Sequence, residues 1–115
     1  MGAVTFKQLS HGKTPLDAFR WAQYEARDRH GDGGYTGTIA EKEGFVNIPA
    51  KNNEDPFQLA NSLLENGDAR VNDKWGPCGC LKVTGSTYAH MYNEEVSTSK
   101  DESMNVYLFF GWASS

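Results

Sequence analysis

A chain of 115 residues with 38% hydrophobic and 23% charged content is long enough for one domain that buries roughly two-thirds of its unfolded surface. Its net charge of −4, mixed in sign, excludes a phosphate-binding surface built from clustered Lys and Arg, so no nucleic-acid partner is expected. No apolar run approaches the roughly 18 residues of a membrane span, and residues 1–6 lack the basic-then-apolar pattern of a secretory leader. The two cysteines, Cys78 and Cys80, flank one glycine, and a bridge across so short a loop would be strained. Two free thiols in a reducing compartment are therefore expected, which places the protein in the cytoplasm.

Residues 4–9 have β-rich composition and read as a first strand at a sheet edge. Thr14 followed by Pro15 supplies an N-cap hydroxyl and a proline at the first helical position. A helix is predicted from Pro15 to His30, stopped by Gly31. Helical spacing puts Leu16, Phe19, Ala22 and Ala26 on an inward stripe. Trp21 and Tyr24 then point outward beside Asp17 and Asp28. Such rigid aromatics suit a partner surface or a homodimer contact.

Residues 29–38 hold four of the twelve glycines in ten positions. This joint ends the helix and aims the chain into two predicted strands, 35–42 and 45–49, turned at Glu43 and Gly44 as a hairpin. Ile39, Val46 and Ile48 would form its core face. Asp55 and Pro56 repeat the cap-then-proline signal, so a second helix runs to Asn66 and stops at Gly67. Its inward residues are Phe57, Ala60 and Leu64, with Leu63 beside them. Residues 68–79 form the longest irregular stretch and carry Lys74 and Trp75. Strands follow at 80–84 and 87–93. The last strand, 104–112, is apolar on both alternating faces, which marks a central position. The predicted order is β-α-β-β-α-β-β-β in a single domain spanning 1–115. The expected class is α+β, a two-layer sandwich of two helices on a mostly antiparallel sheet.

Three kinds of site follow from the residues. Backbone amides at Gly33 and Gly34, with Tyr35, the Thr36 and Thr38 hydroxyls and the cations Arg27 and Arg29, would cradle the phosphate of a small nucleotide. The location at a helix C-terminus opposes this, because anions favour the N-terminal end. Trp21, Tyr24, Lys74 and Trp75 would together meet a protein partner. Cys78 or Cys80 would serve as a thiol nucleophile only with a nearby base, which no local pattern supplies. Three dispersed histidines and a C-G-C pair lack zinc-site spacing, so neither metal nor cofactor is expected. Hydrolase and metalloprotease signatures are absent, and the balance leans away from an enzyme.

The segments GYTGTIAEK (34–42), DKWGP (73–77) and FFGWASS (109–115) resemble a largely uncharacterised group of small bacteriophage and prophage accessory proteins. The resemblance implies action in the cytoplasm of a bacterial host. It also implies inhibition of a host defence or regulatory factor, by binding that protein directly or by sequestering its nucleotide signal.

Overall fold

A computed structural model of the chain describes residues 3–30, 37–49, 55–73, 75–83 and 105–114. The fold is α+β. Strand β1 (Ala3–Gly12) leads into helix α1 (Pro15–His30). A 3-10 turn (Ile39–Glu41), the short strand β2 (Phe45–Asn47) and helix α2 (Pro56–Glu65) follow, before β3 (Cys78–Val83) and β4 (Asn105–Ser114). The four strands form one sheet in the order β1-β4-β3-β2. β4 pairs antiparallel with β1 along ten residues and with β3 on its other side. The 87–93 strand expected from the sequence lies outside the described residues, as does Gly31.

Both helices start where their caps place them. The Thr14 hydroxyl accepts from the Asp17 amide at 3.2 Å. The Asp55 carboxylate accepts from the Phe57 amide at 2.9 Å and the Gln58 amide at 3.3 Å. These contacts satisfy amides that have no intrahelical partner. α2 ends at a left-handed Gly67 with φ of 65°.

The layering differs from the expected two-layer sandwich, because the helices take opposite faces of the sheet. Ala18, Phe19, Ala22 and Ala26 of α1 pack with Cys78, Cys80, Tyr107 and Phe109. Ala60 and Leu64 of α2 pack with Leu81, Val83, Val106, Leu108 and Phe110. β3 and β4 alternate between these two sets. A strand apolar on both faces needs a cover on each, and one helix on either side supplies it.

Three further expectations are corrected. Residues 45–49 do not close a hairpin with 35–42; β2 instead pairs parallel with β3, Phe45 opposite Cys78 and Asn47 opposite Cys80. Ile39 opens a 3-10 turn whose cap is the Thr38 hydroxyl, accepting from the Ala40 amide at 3.3 Å. Leu16 is 47% exposed and Ala18 takes the inward place. At about 100° per residue, Leu16 lies about 120° around the helix from Ala22, outside the buried stripe.

The small residues of α1 let it lie close to β1. Ser10 Oγ, buried, donates to the Ala18 carbonyl at 2.8 Å, and Gln8 Nε2 donates to the Ala22 carbonyl at 3.2 Å. On the α2 side, Gly79 makes room for an aromatic ring. A Cβ there would stand 2.5 Å from Phe110 Cζ and 2.9 Å from Ile48 Cδ1. Gly79→Ala is therefore expected to destabilise the fold by about 1–3 kcal/mol through overpacking. Thermal unfolding should show this as a midpoint lowered by about 4 °C or more; an unchanged midpoint would contradict the packing of Phe110 on Gly79.

Candidate functional site

Two surfaces present the aromatics singled out in the sequence, and they are separate. The first is the outer face of α1. Its inner stripe is filled by Ala18, Phe19, Ala22 and Ala26, so Trp21 and Tyr24 are carried outward. They stay 43% and 63% exposed and stack on each other, ring centroids 5.7 Å apart and planes 17° from parallel. Trp21 also sits 6.0 Å from the His11 ring near the end of β1. Asp17, Arg20, Arg27, Asp28 and Arg29 of this helix are exposed.

The second surface is the turn that carries Trp75. Asp73 builds it: its carboxylate accepts from the Trp75 amide at 2.9 Å, and its carbonyl accepts from the Gly76 amide at 3.0 Å. Lys42 fastens it from below. This lysine is only 3% exposed, and its Nζ donates to the carbonyls of Asp73 at 3.2 Å and Gly76 at 2.9 Å. Burial holds the Lys42 pKa below the ordinary lysine range, with Cys78 and Asp73 partly offsetting that pull. The result is a pinned turn that projects Trp75 at 62% exposure. Beside it opens a cleft of about 560 Å³ lined by Ala3, Ala69, Asn72, Asp73, Trp75 and Trp112. The Trp112 Nε1 is buried and has no hydrogen-bond partner among the described residues.

The two surfaces stand at opposite ends of β1. Trp21 lies by His11, whereas the Trp75 cleft includes Ala3. Eight residues of strand separate these positions, about 27 Å at roughly 3.4 Å per residue. Trp21 and Tyr24 therefore do not form one continuous contact patch with Trp75. Lys74 lies outside the described residues.

The expected phosphate cradle is only partly in view. Gly33, Gly34, Tyr35 and Thr36 lie outside the described residues. Arg27 and Arg29 are exposed near the end of α1, and the Thr38 hydroxyl caps the 3-10 turn. Gln23, one turn before Arg27, donates from Nε2 to the carbonyls of Ile39 and Lys42, which fixes α1 against this segment.

Cys78 and Cys80 are free and buried beneath α1. Burial raises both thiols to about 12; for Cys78 the nearby Lys42 lowers the value slightly and Cys80 raises it. They are thiols, not thiolates, at neutral pH, which is the opposite of an activated nucleophile. Among the described residues no cluster of three or more His, Cys, Asp or Glu is placed to hold a metal ion. No described helix is long and apolar enough to cross a membrane.

No known protein family, curated protein or solved structure matches this chain.

The residue that sequence reasoning missed is Lys42. It reads as the polar end of a strand, yet it is the post that holds the Trp75 turn. Its carbonyl partners lie 31 and 34 positions away, so no local pattern reveals it.

Proposed function

We propose that the chain is a non-enzymatic binding protein that engages a protein partner through the outer face of α1. The observation that carries this reading is the exposed, stacked pair Trp21 and Tyr24 on a helix whose opposite face is fully packed. Two stacked rings lose little side-chain freedom on docking and offer a large apolar area, the properties of contact residues that dominate binding energy. Burial of both thiols with their high pKa supports binding over thiol chemistry. The resemblance to phage accessory proteins supports a partner in the bacterial cytoplasm, a factor of host defence or regulation that the complex inhibits.

The test is a paired capture experiment. Immobilised wild-type chain is challenged with bacterial lysate, and a Trp21→Ala/Tyr24→Ala double variant serves as control, its fold checked by circular dichroism. A partner retained by the wild type is expected to bind the variant at least about 30-fold more weakly when purified and titrated, equivalent to about 2 kcal/mol. Equal affinity for both chains would remove α1 as the contact face.

A further inference from the structure

The charges flanking Trp21 and Tyr24 carry a more specific consequence, which rests on α1 being an interaction face. At about 100° per residue, Asp17, Arg20, Trp21, Tyr24, Arg27 and Asp28 all lie within about 60° of the direction of Tyr24. The six form one stripe at i, i+3, i+4 and i+7 spacing, and all six are exposed. The stripe is divided. Arg20 and Arg27 occupy one flank, and Asp17, Trp21 and Asp28 occupy the other, with Tyr24 on the midline.

We infer that this face docks a second copy of the chain, with the two α1 helices side by side and parallel. A two-fold axis along the helix direction sets each flank against the opposite flank of the partner at the same height. Arg27 then meets the second copy's Asp28, and Arg20 lies over the second copy's Trp21, a cation against an indole face. Each contact occurs twice, and Tyr24 meets its own counterpart at the axis. An antiparallel pair would instead set each flank against itself. Arg20 would face Arg27, and the acids would crowd together. The charge pattern therefore selects both the occupant and its direction.

The test uses the full chain and reads its mass by light scattering and its dimer Kd by sedimentation. Wild type is expected at twice the chain mass. Arg27→Asp and Asp28→Arg each place like charges at both contacts, so each variant alone should be monomeric, with Kd raised at least 10-fold. An equimolar mixture of the two variants should recover the dimer, because the reversals complement each other across both contacts. Both positions are exposed, and circular dichroism checks that the fold is kept. A wild type that is monomeric at every concentration overturns the inference. So does a dimer that neither reversal weakens, or a mixture of the two variants that stays monomeric. A monomeric wild type that loses its lysate partner on Trp21→Ala/Tyr24→Ala substitution would leave α1 as an interaction face and dismiss only the second copy.

Discussion

Phe109→Ala is expected to lower the free energy of unfolding by about 3–5 kcal/mol, a large part of the total of about 5–15 kcal/mol typical of a domain. Phe109 is fully buried at the centre of the sheet. Its ring lies 5.6 Å from Phe19 of α1, 5.7 Å from Phe45 of β2 and 6.5 Å from Tyr107. Phe19 and Phe45 are themselves 5.1 Å apart. The three phenylalanine rings thus form a closed triangle joining a helix and two strands. Removing one leaves a cavity that its neighbours, held by backbone pairing on β2 and β4, are poorly placed to refill. Urea unfolding followed by circular dichroism measures the loss. A drop below about 1 kcal/mol would show that the triangle collapses without cost. Phe57→Ala, at a half-buried site on α2, should cost less and serves as the comparison.

The second large effect is alkaline. Cys78 and Cys80 ionise near 9 in the unfolded chain and at about 12 in the folded one, because burial beneath α1 opposes the thiolate. Above pH 9 the unfolded state releases these protons while the folded state keeps them. The folded state then binds more protons, so stability falls as pH rises from about 9 to about 12. A shift of this size is worth on the order of 4 kcal/mol for one thiol. Tyr107, whose pKa is also raised mainly by burial, acts in the same direction at the alkaline end. Lys42 acts in the opposite direction: its lowered pKa means the folded state sheds a proton before the unfolded one, which recovers stability as pH rises toward the ordinary lysine range. Both thiols titrate across the same window, from about 9 to about 12, and set the expected direction. Urea midpoints should therefore hold between pH 7 and 9 and decline by pH 10.5, and the decline should flatten in a Cys78→Ala/Cys80→Ala variant. An equally steep decline in that variant would assign the alkaline transition to other groups.

How far these features are legible in the sequence depends on the distance over which each is decided. The starts of α1 and α2 are settled within four residues, by Thr14-Pro15 and Asp55-Pro56, and both appear where expected. The outward course of Trp21 and Tyr24 follows from helical period alone. The central place of β4 follows from its apolar faces, and the same signal implied a cover on each side, which the two-layer expectation overlooked. β2 is a strand as expected, but its pairing was misread, because three residues, Phe45, Val46 and Asn47, carry too little pattern to name a partner more than thirty positions away. Lys42 was missed for a related reason. A buried ammonium is tolerated only where carbonyls converge on it, and those carbonyls come from a different loop. The exposure of Trp75 depends on that same convergence.

The pairing of β1 with β4 has a kinetic consequence. Leu9 faces Leu108 across a ladder that joins residues about 100 positions apart in the chain. Among the described strands β1 has β4 as its one neighbour, so that pairing waits until β4 has arrived. Closing so long a loop is entropically costly and comes before the contacts that reward it. On a ribosome, β1 would emerge about 100 residues before the strand it pairs with, and α1 would wait with its alanine face uncovered until β4 is made.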